Sequence, residues 1–209
     1  MISDAILVQL CAATYTSPAT IPVPKSGVNA HVSETDQGTV VAFRGSITPE
    51  DWWTDFQTIA VRPRLDPQLG FCHDGFMTAA ESIVSAVRMA VRGQPFYLTG
   101  HSYGGALAVG VGALLVCAGL IPEKITTFGA PRVGMWKFVE VMNTVKLLNQ
   151  YRRGNDPVPE VPFFLPLFFH YRITREPLIQ IGLPQADAFK CHNILGYQSD
   201  VTSYHGAVT

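Results

Sequence analysis

Pro95-Phe96-Tyr97-Leu98-Thr99-Gly100-His101-Ser102-Tyr103-Gly104-Gly105-Ala106-Leu107 is the stretch on which the reading of this chain turns. Residues 95–99 form a β-rich apolar run, and residues 106–119 are small and apolar enough for a buried helix. Between them, Gly100-His101-Ser102-Tyr103-Gly104 is a G-x-S-x-G string in the context that gives it meaning, a strand turning sharply into a helix. Such a turn forces the serine into a strained backbone conformation, and its glycines let neighbouring chains approach closely. The Ser102 hydroxyl is then predicted at a sheet edge and a helix N-terminus, where unpaired N–H groups and the helix dipole favour negative charge. A glycine-rich turn with an incidental serine is the bland alternative. The order strand, elbow, helix argues against it.

Outward from the elbow the same alternation recurs. Residues 39–43 read as a strand closing at Gly45, and residues 77–91 place Ile83, Val84, Val87 and Val91 near helical spacing, with Gly93 and Pro95 as a stop. Downstream, residues 124–128 read as strand, 136–142 as helix and 146–151 as strand. Parallel strands need crossover connections, so this order predicts a mainly parallel central sheet with helices on both faces. Residues 2–13 are apolar but contain Asp4 and Gln9 and are too short to span a bilayer, which predicts a helix packed on the domain. With no internal repeat or low-complexity linker, residues 1–209 fit one domain.

Composition narrows the function class. Fifteen basic residues against sixteen acidic ones leave a formal charge of -1, so no long-range field draws the chain to nucleic acid or an anionic bilayer. The predicted partner is a small or neutral molecule. Hydrophobic residues make up 47% of the chain, enough for a core with some left over for a greasy pocket or rim. Cys11, Cys72, Cys117 and Cys191 are spread singly without a C-x-x-C pair, which predicts free thiols rather than a zinc or redox motif. No basic leader precedes the first apolar run, so the default placement is cytoplasmic, or secreted if the chain is a processed mature form.

A serine alcohol is a weak nucleophile and needs a histidine to take its proton and a carboxylate to orient that histidine. Asp156, in Gly154-Asn155-Asp156-Pro157-Val158-Pro159, follows the strand through Tyr151 and is predicted at a carboxyl end of the sheet beside Ser102. Asn-Asp-Pro is also ordinary turn chemistry, so this assignment leans on the elbow. Asp187 and Asp200 lack that placement. Of the later histidines, His170 lies in strand-like residues 168–174 and His205 near a terminus prone to fray, whereas His192 follows a loop. The order Ser102, Asp156, His192 is that of the α/β-hydrolase fold. His101 is predicted to point elsewhere, and the chemistry needs no metal or organic cofactor.

Together these pieces resemble the class 3 lipases, the group of secreted fungal triacylglycerol lipases and their feruloyl esterase relatives. The resemblance runs from about residue 40 to 197. It rests on Phe43-Arg44-Gly45-Ser46, Asp51-Trp52 with Asp55, His73-Asp74-Gly75-Phe76, the elbow, Thr127-Phe128-Gly129-Ala130-Pro131-Arg132-Val133-Gly134, Asn155-Asp156-Pro157-Val158-Pro159, and His192 with Tyr197. It implies a triad of Ser102, Asp156 and His192. It also implies an oxyanion hole from the backbone N–H groups of Ser46 and Tyr103, with the Ser46 hydroxyl as a third donor. Taken alone, Ser46 reads as a turn after a strand. The resemblance further implies an ionic network of Arg44, Asp51 and Asp55, a turn shaped by His73 and Gly75, and backbone from residues 129–134 close under the triad. Two departures stand out. Cys191 precedes His192 where relatives often carry aspartate, and the 36-residue interval from Asp156 to His192 is short for a fungal lipase.

Residues 47–70 occupy the place of a lid in such lipases. Trp52, Trp53, Phe56 and Ile59 have helix-compatible spacing, which suits an apolar face that docks on lipid and equally one packed on the core. Residues 157–169 mix four prolines with phenylalanine and leucine, cannot be helical throughout, and suit either an acyl-chain wall or burial under the C-terminal segment. The predicted function is a serine-dependent carboxylic ester hydrolase, foremost a lipase on acylglycerol ester bonds in transient contact with a lipid interface. An esterase on polar or feruloyl-type esters, a phospholipase, and a catalytically silent lipase-like binding module are the rival readings.

Overall fold

The structure is a computed structural model, and it describes residues 1–23, 28–45, 60–162 and 178–206. Among these, a seven-stranded sheet runs in the order β1 (Ile21–Val23), β2 (Val28–Thr35), β3 (Gly38–Phe43), β6 (Phe96–His101), β7 (Lys124–Phe128), β8 (Leu148–Arg153), β9 (Ile179–Ile181). β4 (Ala60–Val61) and β5 (Cys72–His73) form a separate antiparallel pair. From β3 to β9 every neighbouring pair in the large sheet is parallel, while β1, β2 and β3 pair antiparallel at one edge. The crossovers carry α2 (Asp74–Ala90), α3 (Tyr103–Cys117) and α4 (Trp136–Met142); α1 (Asp4–Ala13) precedes the sheet and α5 (Ile194–Gly206) follows it.

Side chains alternate along the strands, and the burial shows it. Val41, Leu98 and Ile125 join the core formed with α2, α3 and α4, whereas Val40, Tyr97 and Phe128 join the core formed with α1 and α5. Both faces of the sheet are therefore covered, as the strand–helix alternation predicts. α1 is also fixed by a buried polar anchor. The Asp4 carboxylate accepts bonds from Thr126 Oγ1 (2.8 Å), Tyr151 Oη (2.8 Å) and Asn149 Nδ2 (2.7 Å) and pairs with Lys124. Burial alone would raise this carboxyl, but Lys124, Tyr151 and Thr126 hold it below the ordinary aspartate range.

Some boundaries differ from the sequence reading. α2 begins at Asp74 rather than at residue 77, because the apolar stripe already includes Phe76 and an acidic residue suits a first turn. His73 and Gly75 thus begin a helix rather than shape a turn. α3 starts directly after Ser102, with no linker between elbow and helix. β8 lies two residues later than expected because its Asn149, Gln150, Arg152 and Arg153 hide the strand from an apolar pattern. The short strands β1 and β9 and the mostly half-buried β2 escape the same pattern. The four cysteines are free thiols, Cys117 exposed and the other three buried.

Residues 46–59, which include Ser46, Asp51, Trp52, Trp53, Asp55, Phe56 and Ile59, lie outside the described residues, as do residues 163–177 with His170. The far end of the 47–70 segment is described and is anchored. β4 pairs with β5, and Leu69 is fully buried.

Candidate active site

Parallel strands present all their carboxyl ends at one edge of the sheet, and that geometry gathers the predicted residues. Ser102 stands at the end of β6, with φ 58° and ψ -129°, a region that side-chain-bearing residues seldom occupy. Its backbone N–H donates to Phe128 O at 2.9 Å, which locks the turn onto the neighbouring strand. The strained turn needs its glycines: a Cβ on Gly100 would lie 2.1 Å from Gly104 O, and one on Gly104 would lie 2.2 Å from Phe43 O.

Asp156 follows β8, two strands away, and is fully buried. Both carboxylate oxygens are engaged. Oδ1 accepts the Val158 N–H at 2.9 Å, and Oδ2 accepts from Tyr197 Oη at 2.7 Å and lies 2.7 Å from His192 Nδ1. The other imidazole nitrogen, His192 Nε2, is 2.8 Å from Ser102 Oγ. The serine hydroxyl, imidazole and carboxylate therefore form one continuous hydrogen-bonded chain. Gly129, at φ 61°, closes the space beneath it, since a Cβ there would lie 2.8 Å from Asp156 Oδ2 and 3.0 Å from His192 Nδ1. This is the close backbone approach that the resemblance implied for residues 129–134.

His192 ends a 3-10 turn, Ala188–His192, rather than following an open loop. Asp187 caps that turn by accepting the Phe189 N–H. His101 points away from the serine, as expected. Its Nε2 lies 2.8 Å from the His192 carbonyl oxygen and its Nδ1 2.7 Å from Tyr15 Oη. A carbonyl only accepts, so Nε2 carries the proton and Nδ1 accepts from the tyrosine. Burial, and then the proximity of His192, hold the His101 pKa well below the usual histidine value. With its ring 4.7 Å from that of His192, His101 stays neutral, so a positive charge that develops on His192 meets no like charge there. Tyr197 is pushed well above the usual tyrosine range by burial and the Asp156 charge, and so remains a donor.

Tyr103 begins α3, and its backbone N–H has no acceptor among the described residues. That places one free donor beside Ser102. Ser46, the other predicted oxyanion donor, lies outside the described residues. Gly45, the residue before it, is described and donates its N–H to Tyr15 Oη. Sequence reasoning missed Tyr15 and His101 as parts of the site, because nothing local links a tyrosine in the turn after α1 to the elbow.

A family described as Lipase (class 3) matches residues 40–165, more than half of the chain. This chain belongs to the class 3 lipase family. It is 36% identical over 162 residues to a secreted mono- and diacylglycerol lipase 1 of Fusarium solani, covering 72% of this chain and 46% of the relative. It is 27% identical over 146 residues to a secreted mono- and diacylglycerol lipase A of Penicillium cyclopium, covering 66% and 48%. The chain thus spans about half the length of the curated relatives it matches. Among solved structures, lipase II from Rhizopus niveus superposes with a TM-score of 0.65 at 21% identity, covering 88% of this chain and 79% of that one. A Rhizomucor miehei lipase propeptide complex gives 0.62 at 22%, covering 76% and 61%. The chain has the α/β-hydrolase fold of these neighbours. No described helix is long and apolar enough to cross a membrane, and relatives described as secreted give the cytoplasmic expectation no support.

Proposed function

We propose that residues 1–209 act as one catalytic unit, a serine-dependent carboxylic ester hydrolase that cleaves acylglycerol esters through an acyl-enzyme on Ser102. The observation that carries this reading is the unbroken hydrogen-bond chain from Ser102 Oγ through His192 to Asp156. In the mechanism, His192 Nε2 takes the hydroxyl proton as Ser102 Oγ attacks the ester carbonyl. Asp156 holds the imidazole by Nδ1–H and stabilises the imidazolium. The backbone N–H of Tyr103, with that of Ser46, receives the developing oxyanion, and the positive end of α3 lies behind it. The imidazolium then gives its proton to the leaving alcohol, and a water activated by the same nitrogen hydrolyses the acyl-enzyme. The residues require no metal or organic cofactor for these steps.

The Fusarium and Penicillium relatives are described as acting on mono- and diacylglycerols, which supports partial glycerides as the substrate class. The same descriptions call the relatives secreted, which supports a secreted protein here; transient contact with a lipid interface follows from a substrate of that class. The test is a panel of soluble short-chain and emulsified long-chain esters, run on the wild type and on Ser102→Ala. Ser102→Ala is expected to lose on the order of 10⁴-fold or more in kcat while keeping its melting midpoint. Near-normal activity in that variant sinks the reading. Turnover confined to soluble polar esters selects the esterase alternative.

A further inference from the structure

Arg152 and Arg153 are adjacent on β8, so the pleat sends their side chains to opposite faces. Arg152 turns toward the acid: its Nε donates to the Asp156 carbonyl at 2.9 Å, and its Nη1 lies 2.8 Å from Glu160 Oε1. Arg153 turns toward the histidine. Its Nε lies 2.6 Å from Asp200 Oδ2 on α5, and its Nη1 donates to the Lys190 carbonyl at 3.3 Å, two residues before His192. The Arg153 backbone N–H donates at 3.0 Å to Tyr197 Oη, the same hydroxyl that bonds Asp156. Room is left for this arrangement. A Cβ on Gly196 would lie 2.6 Å from Arg153 Cζ and Nη1.

We propose that Arg153 is a positioning residue for His192. Its guanidinium ties the 3-10 turn that ends in His192 to α5, through the Lys190 carbonyl and the Asp200 carboxylate, and so holds the imidazole against Ser102 and Asp156. The inference rests on the ester-hydrolase reading. Arginine suits the task because its planar fork reaches two acceptors at once, whereas a lysine offers a single point charge. Gly196 is at a helical position where alanine is the better helix former, and the absence of a side chain there leaves the guanidinium its space.

The test uses the full chain carrying Arg153→Met, Asp200→Asn, both together, or Gly196→Ala. Each is assayed on soluble p-nitrophenyl butyrate and by its rate of inactivation with a fluorophosphonate, beside a thermal melt. Misplacing a reacting group by an ångström costs up to about 10²-fold, so Arg153→Met is expected to lose about 10- to 100-fold in kcat with KM nearly unchanged. Inactivation should slow by the same factor. The double variant should be no slower than Arg153→Met, because the two residues serve one link. Gly196→Ala should be slower in turnover without a lower melting midpoint, the opposite of what a purely structural glycine predicts. If Arg153→Met fails to fold, Asp200→Asn and Gly196→Ala carry the same comparison. A reactive wild type whose folded variants keep kcat and inactivation rate, or single losses that multiply in the double, overturns the positioning role alone. A wild type that neither turns over ester nor takes the label overturns the hydrolase reading, and the positioning role with it.

Discussion

The nucleophile elbow and the arm that carries the histidine solve the same problem, holding one side chain in place, by opposite means. At the elbow the work is done by backbone. Ser102 is fixed by a bond to β7, by glycines packed against carbonyls, and by a helix that begins at the next residue. In the arm it is done by side chains from distant positions: Arg153, itself paired with Asp200, and His101 bond carbonyls of a short 3-10 turn, while Tyr197 bonds Asp156. Backbone constraint is written in a few consecutive residues. Side-chain bracing is written across the chain, and its parts make sense only once the fold brings them together.

This contrast can be broken at either end. At the elbow, Gly104→Ala sets a Cβ 2.2 Å from Phe43 O, a backbone atom that cannot turn aside as the Arg153 side chain can at Gly196. The expected result is a stability loss of about 1–3 kcal/mol or more, read as a lower midpoint in a denaturant melt. An unchanged midpoint would mean that the elbow is looser than its contacts imply. Acid gives a second test. His73 stacks on Phe76 at 4.1 Å, Phe76 in turn lies against Tyr103, and burial lowers the His73 pKa to about 4. The folded state therefore stays unprotonated there while the unfolded chain binds a proton below about pH 6.5. Stability is full above that value and falls as the pH drops toward 4, by up to about 1.4 kcal/mol per pH unit. His73→Phe should reduce that slope between pH 6.5 and 4, while buried His101 keeps its own share. An unchanged slope would place the acid sensitivity elsewhere.

The same contrast explains what was legible in the sequence. Residues 124–128 and 136–142 were readable as a strand and a helix because their apolar pattern is local, and the elbow because its glycines flank the serine. The approach of Asp156 to the serine followed from parallel topology, since both residues end strands of one sheet. The clamp of Arg153 on Asp200 was not readable, because an arginine in a polar strand and an aspartate 47 residues later carry no shared pattern. Asp200 was passed over for lacking a strand-end position, and its place on α5 opposite β8 is a tertiary fact. β9 was invisible for a similar reason: three residues provide too little alternation to mark a strand.

If Ser102, His192 and Asp156 act as one unit, reaction with a fluorophosphonate depends on all three. The wild type should take one label, located on Ser102 by peptide mass. Asp156→Asn should keep the fold and react slower by about 10⁴-fold, because the imidazole loses the partner that sets its tautomer and orientation. A label on another residue, or an Asp156→Asn variant that reacts as fast as the wild type, would show that the three do not act together.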